Sequence, residues 1–162
     1  MRKINSVTGV GLTAEGKRII ADAMYAKGQA FVIAAALLRR DNGNEYAVLH
    51  LLCQGIEVAL KGLLLHIKYD QYKPKLKHTL GHNLIKIVNT ILSEIGLTPL
   101  RPALLIELET LGNLYSKHLL RYGSGHDIFV STSAISSHRT FRRIAVVFRL
   151  VRMKKITCPP IN

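Results

Sequence analysis

A narrow polar line crosses the most apolar stretch of this chain. Residues 45–69 are mostly Leu, Ile, Val and Ala, yet His50, Gln54, Glu57, Lys61 and Lys68 interrupt them at intervals of three, four and seven. At 100° per residue these five fall within about 60° of one another on a helix. Glu57 stands four residues before Lys61, the orientation that favours an ion pair along a helix. The line thus holds a carboxylate, ammonium groups, an amide and an imidazole. The line reads either as a solvated strip or as the side of a helix that faces a cleft or a subunit seam. His78 and His82 are four apart and could share a helical face, but no third ligand lies nearby and neither CxxC nor HExxH occurs. No metal is therefore expected, and His82 reads as a polar contact at a helix start. The stretch Gly11–Lys17 lacks the glycine-lysine-serine/threonine ending of a phosphate-binding loop.

The elements that must position these groups are helices. Thr13 can cap a first helix reaching about Arg40, loosened at Gly28, after an irregular arm over residues 1–12. The cluster Asp41-Asn42-Gly43-Asn44 predicts a turn, with Asn44 capping the second helix, Glu45–Tyr69. That helix is apolar over most of its circumference, which marks the central member of a bundle. A basic loop over Gln71–His78 follows, then a third helix from Thr79 or Gly81 to about Ile95, stopped by Gly96. Pro99 and Pro102 suit the first turn of a fourth helix running to about Leu120, followed by the glycine-broken turn Arg121–His126. A last amphipathic helix, capped at Ser131, Thr132 or Ser133, would extend to Met153. It carries Phe141, Ile144, Val147, Phe148 and Val151 on one side and Arg139, Arg142, Arg143 and Arg149 on the other. Residues 154–162 form a loose basic, proline-containing tail. The expected fold is one all-α domain over residues 1–162, an antiparallel bundle of four to five helices.

Charge narrows the partners. The chain has 23 Lys and Arg against 10 Asp and Glu, and no acid follows Asp127. Such an excess draws polyanions, RNA first among them, or an acidic protein, and the four arginines of the last helix are the candidate nucleic-acid-binding residues. Cys53 in an apolar helix and Cys158 in the tail do not make a disulfide framework, so a reducing, cytoplasmic compartment is expected. Phe31–Leu38 is short for a bilayer, and Glu57 and Lys61 break Leu49–Ile67, so no membrane span is expected. The apolar second helix and its polar line together predict a homodimer.

The run His50-Leu-Leu-Cys-Gln-Gly-Ile-Glu57-Val-Ala-Leu-Lys61-Gly-Leu-Leu-Leu resembles the signature helix of the HEPN superfamily of small helical bundles. Gly81-His82-Asn83-Leu84 resembles the glycine-histidine-aspartate-leucine start of that family's following helix, and Arg121 with His126 matches its Arg, four to six residues, His element. The resemblance covers residues 45–130, and its weight lies in the order and spacing of the three pieces together. It implies a metal-independent, cofactor-free endoribonuclease, of the kind found as toxins or defence effectors. His126 would be base and then acid toward a ribose 2′-hydroxyl, Arg121 would hold the phosphate, and two such motifs would meet across a homodimer. The family's active members generally have a small polar residue after the arginine, where this chain has Tyr122. An arginine-tyrosine at this place also resembles members that partner a nucleotidyltransferase in toxin–antitoxin pairs and need not cleave RNA. The alternative implied is therefore a non-catalytic helical module that binds such a nucleotidyltransferase, an antitoxin, a nucleotide or nucleic acid.

Overall fold

A computed structural model describes residues 11–117 together with Leu120. These build five helices: α1 (Ala14–Arg40), α2 (Glu45–Tyr72), the single turn α3 (Lys75–His78), α4 (Leu84–Glu94) and α5 (Pro102–Ser116). There is no strand among the described residues, and the all-α expectation holds for them. The expected last helix, the tail, the turn Arg121–His126 and most of the N-terminal arm lie outside the described residues.

Local chemistry sets the helix ends. The Thr13 side chain accepts from the Gly16 N–H at 3.1 Å and Asn44 from that of Ala47 at 3.1 Å. Each cap satisfies an amide that the first turn leaves without a helical partner. Asn42 takes φ 55° in the α1–α2 turn, and Gly96 ends α4 at φ 64°. Three boundaries differ from expectation. The second helix continues to Tyr72 across a break at Lys68 (φ −149°, ψ 78°), so its last turn and α3 stand where a basic loop was expected. The third helix starts later, at Leu84, with Asn83 accepting from Lys86 N–H at 2.9 Å. Gly81 cannot belong to it, because its φ of 50° is left-handed. The fourth starts at Pro102, which leaves Pro99 ahead of its first turn; its described run is Pro102–Ser116, and Leu120 is helical as well.

The central helix is α2. Leu49, Leu52, Ile56, Leu60 and Leu64 are sealed from solvent, and each such side chain contributes about 1.5–3 kcal/mol of transfer free energy before the entropy of ordering it is set against that. One side lies along α1, where small residues bring the two backbones together. A Cβ added to Gly28 would stand 2.3 Å from the Ala59 nitrogen, and one on Gly62 would stand 2.6 Å from the Tyr25 nitrogen. The expected loosening at Gly28 is absent: α1 passes through it unbroken, and the glycine serves the crossing. The remaining surface of α2 takes α4, through Leu84, Ile87, Val88, Ile91 and Leu92, and α5, through Leu108, Leu111 and Tyr115. Both α1 and α2 are long and apolar enough by length and composition to cross a membrane. The relevant stretch of α2 is 78% buried inside the protein, as a core helix is, whereas that of α1 is 17% buried.

Cys53 sits at 0% exposure in this core. Burial, with the neighbouring Glu57 charge behind it, pushes its thiol far above the ordinary cysteine range, so the reactive thiolate is suppressed. A Cys158→Ser variant should leave a disulfide-exchange reagent such as DTNB unreacted while folded and release one thiol per chain in denaturant. Equal rates in both states would contradict a sealed Cys53.

Candidate functional site

The polar line of α2 faces into the protein. The side chains of Glu57 and Lys61 are 7% and 8% exposed, and their charged atoms stand 2.7 Å apart. A buried pair is tolerable only when its remaining hydrogen-bonding capacity is used, and here the turn before α4 uses it. Lys61 donates a second hydrogen bond to the Gly81 carbonyl at 2.5 Å. The second carboxylate oxygen of Glu57 accepts from Nδ1 of His82 at 3.0 Å. The left-handed backbone at Gly81 occurs where this carbonyl and the adjacent imidazole both meet α2.

Tyr115 brings α5 to the same place. Its ring lies nearly perpendicular to that of His82 at 5.9 Å between centroids, and 5.6 Å from the ring of His50. Burial works to raise the Glu57 carboxyl, but hydrogen bonds from Lys61, His82 and Tyr115, with the Lys61 charge, outweigh it and hold the group below the ordinary carboxylate range. Glu57 is thus the anionic centre of a cluster drawn from α2, the α3–α4 turn and α5.

His82 is the member of the cluster that reaches solvent. Its side chain is 57% exposed on the wall of an open groove of about 1060 Å³. His82, Asn83 and Lys86 line one side of this groove, and Glu109, Asn113 and Ser116 of α5 line the other. With Nδ1–H directed at a carboxylate, the basic nitrogen of a neutral His82 is Nε2. A carboxylate that fixes an imidazole in one tautomer is an arrangement suited to proton transfer. Lys61 is committed to Glu57 and Gly81, so any cation acting on a ligand in the groove must come from elsewhere. Tyr72 and Glu94 also line the groove, and they belong to a second hydrogen-bonded group. Glu94 of α4 accepts from the Tyr72 hydroxyl and pairs with Lys68 at 2.9 Å; burial and then Glu94 push the Tyr72 hydroxyl up to about 12. This pairing takes Lys68, just at the break in α2, out of the Glu57–Lys61 cluster.

Of the residues singled out from the sequence, Glu57 and Lys61 come together with His82. His50 is half-buried beside Tyr115, and Gln54 is half-buried on the same helix; neither lines the groove. Arg121, His126, Arg139, Arg142, Arg143 and Arg149 lie outside the described residues; Leu120, which precedes Arg121, is 5% exposed. His78 closes α3 while His82 stands in the following turn, so the two share no helical face. The Glu57–His82 contact was not anticipated, because the sequence spacing relates Glu57 only to partners on its own helix. Set beside known proteins, the chain matches no family model, no curated protein and no solved structure.

Proposed function

We propose that this protein is a metal-independent endoribonuclease of HEPN type, acting as a toxin or defence effector, with Arg121 and His126 as its catalytic pair. One observation carries the reading: two sequence pieces twenty residues apart, Glu57/Lys61 and Gly81-His82, meet in one hydrogen-bonded cluster built on a buried ion pair. The ordered pieces on which the resemblance rests therefore have a physical reason to occur together. Tyr115 ties α5 to the same cluster, and it is the end of α5 that leads toward Arg121. The chemistry needs a base for the 2′-hydroxyl and a cation for the charge accumulating at phosphorus, and neither role asks for a metal.

The test is purified protein on a mixed RNA pool with EDTA present. Cleavage leaving 2′,3′-cyclic phosphate ends, and abolished in both Arg121→Ala and His126→Ala, is expected. Cleavage that survives in both variants would place any nuclease at another site. No cleavage of single-stranded RNA, structured RNA or tRNA would favour the second reading, a non-catalytic module that binds a nucleotidyltransferase, an antitoxin or nucleic acid. Tyr122, in place of the small polar residue, favours that second reading, as does a cluster in which Glu57 and Lys61 spend their charges on each other. In both readings Arg139, Arg142, Arg143 and Arg149 are the proposed RNA-binding face. RNA affinity should fall steeply with salt, and replacing one of these arginines by alanine should reduce the log–log slope by about 0.7–0.9 for each phosphate that the arginine neutralises. A slope unchanged in all four variants would remove the arginine face from the proposal.

A further inference from the structure

The face of α1 turned away from α2 carries a seam of its own. Ile19, Ala23, Ala26, Ala30, Ile33 and Leu37 follow one another at spacings of four, three, four, three and four, and every one of them is exposed. The large members stand well out of the protein, with Ile19 at 56%, Ile33 at 59% and Leu37 at 46% exposure. This is the alternating spacing by which one helix packs along another in a two-stranded coil. The face used against α2 is a different one, containing Ala21, Gly28 and Ala35, so the outer seam is not a by-product of core packing. A contiguous apolar patch of this kind on a soluble domain marks a contact surface.

We infer that this seam is a homodimer interface, in which α1 of one chain lies parallel to α1 of a second copy. Charge selects the occupant. Among residues 19–38 the only charged side chains are Asp22 and Lys27, so the segment is neutral on a chain of net charge +13. A like-charged second copy meets no repulsion there, and a surface-lying amphipathic helix would instead show a polar face rich in Lys and Arg. Charge also selects the direction. Asp22 and Lys27 flank the seam on opposite sides, five residues apart. In a parallel pair in register, that spacing places Asp22 of each copy against Lys27 of the other, twice over. An antiparallel pair centred on the seam would bring the two Lys27 side chains together. Asp22 remains 51% exposed although it approaches Arg18 at 3.6 Å and His66 at 3.2 Å within its own chain, so it can still face a partner. Alanines at three of six positions allow a close approach, and packing on α2 has already met the cost of forming the helix. This inference does not rest on the ribonuclease reading: a dimer through the seam stands whether or not RNA is cleaved. A monomeric wild type would count against the seam and against a composite Arg121–His126 site alike, and RNA cleavage by that monomer would separate the two.

The experiment is sedimentation velocity with light scattering on the full chain at tens of micromolar. Wild type should have twice the mass of the 18.0 kDa chain. Ile33→Gln with Leu37→Gln should give a monomer with an unchanged far-UV spectrum and thermal transition. Lys27→Glu should weaken the dimer at least about tenfold, and Asp22→Lys in the same chain should restore it. Ala30→Cys should crosslink to its own counterpart on mild oxidation, as the parallel register requires. A monomeric wild type overturns the proposal, whether the seam is then covered by residues 121–162, by a foreign protein or by a bilayer. Binding of that monomer to neutral phosphatidylcholine vesicles, abolished by the two glutamines, would identify the bilayer case. A dimer indifferent to the Ile33 and Leu37 changes overturns it equally, and a dimer lacking the Ala30→Cys crosslink overturns its direction.

Discussion

Gly28→Val should lower stability by about 3 kcal/mol or more, while Gly112→Ala should leave it unchanged or raise it by about 0.5–1 kcal/mol. Both glycines lie within helices, where glycine is intrinsically unfavourable by about 1 kcal/mol relative to alanine; propensity alone therefore predicts a gain at either place. Packing reverses the sign at Gly28. The new Cβ would stand 2.3 Å from the backbone nitrogen of Ala59 and 2.6 Å from its Cα, and neither atom can rotate aside as a side chain could. Relief requires moving α1 away from α2, which loosens Gly55 against Val32 and Gly62 against Tyr25 as well. Overpacking commonly costs about 1–3 kcal/mol and sometimes more, and a branched residue at a backbone crossing belongs at the upper end. At Gly112 the nearest atom to an added Cβ is Leu84 Cβ at 3.8 Å, an ordinary contact. For a chain of this length the Gly28 change corresponds to a fall of about 6–12 °C in melting temperature. Urea melts of the two variants beside wild type give the measurement, and a wild-type midpoint for Gly28→Val would show that the two helices do not cross there.

The same crossing shows how much of the fold the residues alone could reveal. Helix ends were legible where one side chain decides them: Thr13, Asn44, Gly96 and Pro102 stand at the ends predicted for them. Gly28 is opaque to local rules, because a glycine inside a helix looks like a weak point until the facing backbone is known. The start of α4 lies beyond local rules for a similar reason: Gly81 is bound by Lys61, twenty residues earlier in α2, and no local rule contains that bond. The site was legible in the same measure. Periodicity put Glu57 and Lys61 on one line and suggested two readings, a solvated strip or the side of a cleft or seam. The structure seals both side chains and makes them the anchor of the turn that presents His82. An ion pair along one helix is a local signal; whether it is wet or dry depends on what the rest of the chain lays over it.

Breaking the buried pair is the second large effect. Glu57→Ala should cost about 3–5 kcal/mol, because Lys61 is left as a buried ammonium with only the Gly81 carbonyl to hold it. Lys61→Met should cost a similar amount by leaving the carboxylate with His82 and Tyr115 alone. The double variant Glu57→Met with Lys61→Met should recover most of the loss, since removing both charges also removes the cost of burying them. The two single losses would then add to far more than the double, a coupling that contacting charges show and independent sites do not. Acid provides a separate check with a definite sign. The folded Glu57 carboxyl titrates below its ordinary value, since Lys61, His82 and Tyr115 outweigh the opposing effect of burial. The folded protein therefore holds this carboxylate ionised more firmly than the unfolded chain does. Its contribution is fully present above the unfolded glutamate value of about 4.3 and is lost as pH falls through the lower folded value. Stability measured by urea melts from pH 6 down to pH 2 should fall more steeply in wild type than in the double methionine variant over that acid window. Parallel acid limbs would mean that the Glu57 carboxylate contributes nothing to folding, and the fixed imidazole of His82 would then need another anchor.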